Sequence, residues 1–385
     1  MKLPLLIPLL FITTIALSCQ NESMSDSPEP AAVMTVTGPL DPANMGQTLI
    51  HEHVLVDWIG ADSTGYHRWN RDEVTEKVLP YLQEAADHGI RTLFECTPAY
   101  LGRDPYILRE LSERSGVRIV TNTGYYGAVE NRFMPDHAWE ESAEELAARW
   151  IDEFENGIDG SDIRPGFIKI SVNGEGPLSE QHRKIVRAAA ITHLATGLTI
   201  VSHTPGDEPA LEQVELLMEE GVSPSAWVWT HSQAGSLEMQ IQLARDGAWI
   251  SLDNFNFNPA RSPGDEGNLQ WFLTRLSELK EEGLLDKVLI SQDAGYFNPD
   301  EPNGGDFRGY SDISAYLLPA LTENGFTDEE IGQLLVQNPQ RAYTLRVRSE
   351  QQAAAETEII DLFCIFMKPQ TESVGPVSFR NEIQA

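Results

Sequence analysis

His51 and His53 stand two positions apart in the stretch Thr48 to Val54, TLIHEHV. The β-branched and apolar residues around them favour a strand. Successive side chains of a strand point to opposite faces, so these two imidazoles share one face. Two neutral imidazoles projecting together make half of a metal site. An H-x-H pair alone is a common coincidence, and two strand-edge histidines facing loops would read the same way. Later β-rich runs, however, also end in polar groups: Glu95, Asn122, Lys169, His203, His231, Asp253 and Asp293. Four histidines, a lysine and an aspartate at matching positions are hard to assign to chance. His67, His88, His137, His182 and His193 lie in loops or helix-like segments and read as surface residues.

Lys169 sits inside an apolar run, Phe167-Ile168-Lys169-Ile170. On an edge strand its long stem would carry the ammonium to water. In a closed sheet every strand has two neighbours, and a buried amine must lose its proton or gain a partner.

These groups need elements that bring them together. From residue 47 onward short β-rich runs alternate with longer segments of helical spacing. Strands are expected at 47–54, 90–96, 117–123, 166–172, 198–203, 226–231, 247–253 and 287–293, with helices at 72–88, 104–115, 142–157, 180–196, 207–220, 236–246 and 267–282. Gly89, Gly116, Gly197, Gly221 and Gly247 mark the joints between a helix and the next strand, where a left-handed turn ends the helix. Repeated strand–helix order with short joints argues a parallel sheet, and eight units in one run argue a single-domain (β/α)8 TIM barrel. A doubly wound open sheet is the other candidate. The lack of a glycine-rich phosphate loop after the first strand counts against it. Barrel enzymes build their sites at the carboxyl ends of the strands, where the polar groups above fall.

The chain has 385 residues and is 41% apolar, enough for a large core. Its formal net charge of −32 would repel nucleic-acid phosphates and argues against that class of partner. Lys2 followed by the apolar run Leu3 to Leu17 is too short to span a bilayer comfortably and suits a signal peptide. Ala16-Leu17-Ser18-Cys19 resembles the lipobox of bacterial lipoproteins, whose cysteine becomes the acylated first residue; it also fits an ordinary cleavage site. The expectation is therefore an exported protein, a periplasmic or cell-envelope lipoprotein anchored at Cys19, or else a soluble secreted one. Residues 1–19 are the signal peptide, 20–34 a flexible linker rich in Ser, Glu, Asp and Pro, 35–345 the barrel, and 346–385 a C-terminal extension of unassigned role. Membrane contact is expected only through the lipid. Cys96, in an apolar run, reads as a buried small hydrophobe, and with Cys364 it supports no disulfide framework.

The set H-x-H, Lys, His, His and Asp on successive strands resembles the amidohydrolase superfamily, specifically the phosphotriesterase-like family. The likeness runs from Thr35 to Leu345. It includes GQTLIHEHV, the Gly102-Arg103-Asp104 turn, IKISVNGEGPLSEQHRKIVRAAA leading into TGLTIVSHT, LEQVELLMEEGVSPSAWVWTH, and QNPQRAYTL. The resemblance implies a binuclear metal centre. His51, His53 and Asp293 would hold the more buried ion, and His203 and His231 the more exposed one. Lys169, carboxylated by carbon dioxide, would bridge both together with a hydroxide. Nitrogen and oxygen donors without thiolate suit Zn2+, with Mn2+, Co2+ or Fe2+ as alternatives. The implied activity is metal-assisted hydrolysis of a small molecule, the hydroxide attacking while Asp293 accepts the proton. A homodimer is common among similar proteins.

The loops depart from the family pattern. Lactonase-like members often carry an arginine after the strand-end aspartate of the seventh strand, where this chain has Asn254. The last strand ends Ser291-Gln292-Asp293 in place of serine-histidine-aspartate. Trp58, Tyr100, Tyr125, Tyr126, Tyr296 and Phe297, with Asn254, are the candidate pocket residues, although aromatics serve cores as often as pockets. A lactone or other carboxylic ester is the preferred substrate. A phosphotriester or phosphoester, a lyase or deacetylase reaction, and a non-catalytic binding role for the rim are the alternatives.

Overall fold

The computed structural model describes residues 31–257 and 267–350. The signal peptide, Cys19, most of the expected linker and most of the C-terminal extension lie outside the described residues. An antiparallel hairpin, β1 (Val33–Thr35) and β2 (Gly38–Leu40), comes first. The parallel strands follow: β3 (Gln47–Glu52), β4 (Ile90–Glu95), β5 (Arg118–Val120), β6 (Asn122–Thr123), β7 (Phe167–Ser171), β8 (Thr199–His203), β9 (Trp227–Thr230), β10 (Trp249–Leu252) and β11 (Val288–Ile290). All fall inside the expected windows. β5 and β6 are one strand interrupted at Thr121, pairing with β4 on one side and β7 on the other. The described strands thus take eight positions in a ring, and the fold is a (β/α)8 barrel.

The ring closes between β11 and β3. The Asp293 N–H donates to the His51 carbonyl at 3.1 Å, and the His53 N–H to the Ala294 carbonyl at 2.8 Å. The buried Glu52 carboxyl secures this seam. It accepts the Ser291 hydroxyl at 2.7 Å and the backbone N–H groups of Gln292 at 3.2 Å and Ala294 at 2.7 Å.

Alternate strand residues divide the core. Ile50, Phe94, Phe167, Val201, Val228, Trp249 and Leu289 fill the barrel interior, and Tyr343, Val33 and Met45 pack with them. Leu49, Leu93, Ile168, Ile170, Ile200, Trp227, Trp229 and Ile290 face outward to the helices. Cys96 is fully buried with the inner set, as expected. The register of β3 on β4 shifts between Leu49, opposite Leu93, and Glu52, opposite Glu95. Three residues of β3 thus span two of β4. The bulge turns His51 to the inner side directly after Ile50, and His53 follows.

Several helices begin on side-chain caps. Asn70 caps α1 (Arg71–Asp87), Asp104 caps α2 (Pro105–Ser115), and Ser142 with Glu145 forms a capping box on α4 (Ala143–Asn156), which follows the single turn α3 (His137–Glu140). Ser179 caps α5 (Glu180–Thr196). Two histidines read as surface residues are buried on α5. His182 reaches the Gly127 carbonyl at 2.9 Å, and His193 Nδ1 pairs with the Leu198 carbonyl at 2.8 Å. Both lie on the face that α5 packs inward, a placement its helical spacing did not single out. The opening of the expected extension, residues 346–350, forms a strap beside Gly221–Ser223. The Ser223 N–H donates to the Arg348 carbonyl, the Glu350 N–H to the Gly221 carbonyl, and the Arg348 N–H to His193 Nε2.

Candidate metal centre

All six expected ligands meet at the carboxyl ends of the strands. Rings lie close to one another: His51 is 5.3 Å from His53 and 5.0 Å from His231, and His203 is 4.4 Å from His231, centroid to centroid. His53 Nε2 lies 3.2 Å and His51 Nε2 3.7 Å from Asp293 Oδ1, a three-donor cluster of the kind that holds a cation. Thr97 Oγ1, 2.8 Å from His53 Nδ1, fixes that ring. Lys169 lies on β7 beside β8, its neighbour in register being Val201, two residues before His203.

The backbone is forced into place at this rim. His231, Asp293 and Tyr296 have φ of 63°, 49° and 75°, the left-handed region that non-glycine residues seldom adopt. Two glycines let loops press onto the ligand strands. A Cβ on Gly124 would stand 2.1 Å from the Lys169 carbonyl oxygen, and one on Gly295 1.7 Å from that of His53. No side chain fits at either position.

Burial lowers the His51 pKa to about 4, helped by the Lys169 charge, and burial also lowers His53 and takes His203 well down. All three are neutral with lone pairs to donate. His231 goes the other way: burial pulls it down, but the Asp253 carboxylate outweighs burial. Burial alone would raise Asp293, but His51, His53 and His231 hold it well below the ordinary carboxylate range. The Lys169 Nζ is buried and has no hydrogen-bond partner among the described residues. An unpartnered ammonium there is costly, whereas a carbamate on the same nitrogen would supply the anionic oxygens that a pair of cations needs. The donor set present therefore fits two divalent ions.

Asp253 is the participant whose role the sequence left open. It is fully buried, and its oxygens accept from the His231 ring at 2.8 Å, the Ser251 hydroxyl at 2.7 Å and the Gln233 amide at 3.1 Å. His51 Nδ1 is 3.1 Å from Asp253 Oδ2, though misaligned for a hydrogen bond. Asp253 also comes close enough to His51 and His231 to act as a ligand itself. Its oxygens are already engaged by these donors, so it orients the His231 ring and stands as a charged neighbour of His51.

The expected pocket residues part company here. Tyr126 lies over His203, its hydroxyl 3.3 Å from Nδ1, and the Tyr296 hydroxyl donates to the Asp293 carboxylate. Tyr296 also stacks on His53 at 4.7 Å, and Trp58, 40% exposed, stacks on Tyr296 at 6.2 Å. An aromatic ladder thus climbs from a ligand to the surface. Val56, Leu101 and Phe133 pack with Tyr126 and Tyr296 to complete the wall; as apolar loop residues they carried no mark in the sequence. Asn254 is exposed and bonded to Asn268, and Phe297 is buried in the outer core. The structure sets Tyr100 and Tyr125 apart from the rim. They line a neighbouring cavity of about 470 Å3 with Tyr66, Arg103 and Glu153, and Tyr125 is tied to His137 at 2.9 Å and packed edge-on against Trp150. Their ring packing against α3 and α4 turns them away from the histidines.

Residues 31–343 match the sequence model of the phosphotriesterase family. The chain belongs to that family, within the amidohydrolase superfamily. The phosphotriesterase homology protein of Escherichia coli is 30% identical over 302 residues, covering 77% of this chain and 98% of that protein. An aryldialkylphosphatase of Saccharolobus solfataricus is 27% identical over 314 residues, covering 79% and 97%. Among solved structures, one described as the engineering of organophosphate hydrolysis from a weak promiscuous lactonase template superposes with a TM-score of 0.69 at 27% identity, covering 81% of this chain and 99% of that one. The phosphotriesterase family uses a binuclear metal centre, and its members are hydrolases.

Proposed function

We propose that this protein is a binuclear metal-dependent hydrolase of an uncharged ester, a lactone or other carboxylic ester first. The observation that carries it is the buried, unpartnered Lys169 amine among four histidines and Asp293. A rim that only bound ligands would have no use for such a group, which counts against the non-catalytic reading. His51, His53 and Asp293 would hold one ion, His203 and His231 the other, and carboxylated Lys169 both, with Zn2+ as the first candidate metal. Bound there, the ions supply an activated water and polarise the scissile bond. The chain's own residues do the rest. Asp293 takes up the proton released by attack, and its left-handed backbone and the Tyr296 hydroxyl keep its carboxylate aimed. Trp58, exposed above Tyr296, offers apolar surface to the substrate, and the buried Val56, Leu101 and Phe133 back that wall.

Asn254 stands where lactonase-like members often carry an arginine, and the aromatic wall suits an uncharged substrate. The phosphotriester reading is second, favoured by the similarity to the aryldialkylphosphatase. Export and anchoring through Cys19 belong to the same proposal and rest on the N-terminal sequence. The test is proton release by the metal-loaded protein lacking residues 1–19 on lactones, aryl esters and phosphotriesters, with His51 and His53 both changed to alanine as control. Turnover of carboxylic esters that vanishes in the control is the expected result. No turnover of any class with two metals bound would sink the hydrolase reading, and turnover confined to phosphotriesters would reverse the order of substrates.

A further inference from the structure

The opposite end of the barrel carries a second cluster, which the hydrolase reading leaves unused. A cavity of about 340 Å3 opens beside the amino-terminal ends of β9 to β11, lined by Trp249, Lys287, Gln340, Arg341, Arg346 and Arg348 among others. Four cationic side chains share this space in a chain whose 59 acidic residues outnumber its 27 Lys and Arg. One described carboxylate answers them, Asp286, 3.6 Å from Arg341. Lys287 donates to the Gly247 carbonyl at 3.1 Å, and Lys287 and Arg341 lie 5.2 and 5.5 Å from the Trp249 ring. Arg348 is 4% exposed and donates to the carbonyls of Arg341, Ala342 and Thr344, so its charge sits on the negative end of the helix Asn338–Tyr343. The Arg346 side chain makes no ion pair with any described residue. Burial, with the three arginines nearby, pushes the Lys287 ammonium down, and burial with Arg346 beside it brings Arg348 to about 10. Like charges are crowded here, and such crowding is unfavourable unless an anion shares the space.

We propose that this cavity binds a phosphate group between Lys287, Arg341 and Arg346. Planar guanidinium forks suit the oxygens of phosphate, whether a free ion or a phosphodiester. The net charge of the chain does not forbid it. At physiological ionic strength screening acts over about 8 Å, so nearby cations dominate the local field. The chemistry has two sources, a free phosphate and a phospholipid headgroup. The second is considered because the first described residues pack here: the Leu345 N–H donates to the Ala32 carbonyl at 2.9 Å, one residue from Arg346.

The experiment compares thermal unfolding of the purified, metal-free protein in inorganic phosphate and in sodium chloride of equal ionic strength, for the wild type, R346Q and K287Q. A Tm higher in phosphate by roughly 2–4 °C, and a difference at least halved in each variant, is the expected result. Co-sedimentation with phosphatidylglycerol vesicles, set against phosphatidylcholine, separates the sources. Retention on the anionic vesicles that R346Q loses assigns a headgroup, and a phosphate shift without retention assigns a free anion. Equal Tm in the two salts with no vesicle retention overturns the proposal. A phosphate response that survives undiminished in both variants overturns it as well, because the anion would then bind elsewhere.

Discussion

Asp253 takes two hydrogen bonds from a single residue, His231: its Oδ1 accepts the ring at 2.8 Å and its Oδ2 the backbone N–H at 3.1 Å. That double hold is what keeps His231 in its left-handed conformation at the end of β9. The same carboxylate stands 3.1 Å from His51 Nδ1, so one buried anion adjoins a ligand proposed for each metal.

Changing Asp253 to asparagine should therefore weaken both metal positions without touching a ligand. The amide would offer N–H groups where the ring of His231 donates, and the tautomer with Nε2 free to bind would lose its support. Metal affinity should fall roughly 10- to 100-fold, read by competition with a chelator. Unchanged affinity for both ions would show that Asp253 supports neither ligand.

Lys169→Met separates stability from metal binding. The methionine keeps the volume of the stem and removes the unpartnered amine. The metal-free variant should be at least as stable as the metal-free wild type to chemical denaturation, because a buried polar group without a partner opposes folding. It should also fail to hold two ions per chain by elemental analysis. A variant that loads both metals would remove Lys169 from the centre.

Much of this was legible in the sequence for one physical reason. Strand-end positions in a barrel converge, so His51, His53, Lys169, His203, His231 and Asp293 declared themselves once the alternation of β-rich runs and glycine joints was read. What the sequence hid depends on local geometry. The bulge that turns both Ile50 and His51 inward leaves no pattern in TLIHEHV, and the strained backbones of His231 and Asp293 arise from tertiary bonds. Val56, Leu101 and Phe133 are apolar loop residues that resemble any core contact until the fold sets them beside Tyr126. Tyr100 and Tyr125 follow strand ends as Tyr126 does, yet their rings turn toward His137 and Trp150.

The seam of the barrel offers a prediction on stability. Burial raises the Glu52 pKa to about 8 against the pull of its hydrogen bonds from Ser291 and Ala294. Glu52→Ala would leave the Ser291 hydroxyl and two backbone N–H groups buried without their acceptor. Unfolding free energy should drop by about 2–4 kcal/mol, measured in urea on the metal-free protein. A loss below about 1 kcal/mol would mean that the seam is held by its backbone bonds alone.

His193 sets a pH dependence at a place remote from the metal centre. Its Nδ1–H donates to the Leu198 carbonyl and its Nε2 accepts the Arg348 N–H, so the folded protein needs the neutral ring. Burial lowers its pKa to about 4 from the ordinary 6.5. The unfolded chain therefore takes up a proton near pH 6.5 and the folded chain only near pH 4. The stabilising contribution is full above pH 6.5 and declines as the pH falls through that window, by at most about 1.4 kcal/mol per pH unit. A His193→Gln variant lacks this titration. It should be less stable than the wild type at pH 7.5, and the gap should narrow steadily between pH 6.5 and 4.5 when both are unfolded in urea. A gap that stays constant across that range would mean that the strap from Arg346 to Glu350 does not depend on a neutral His193.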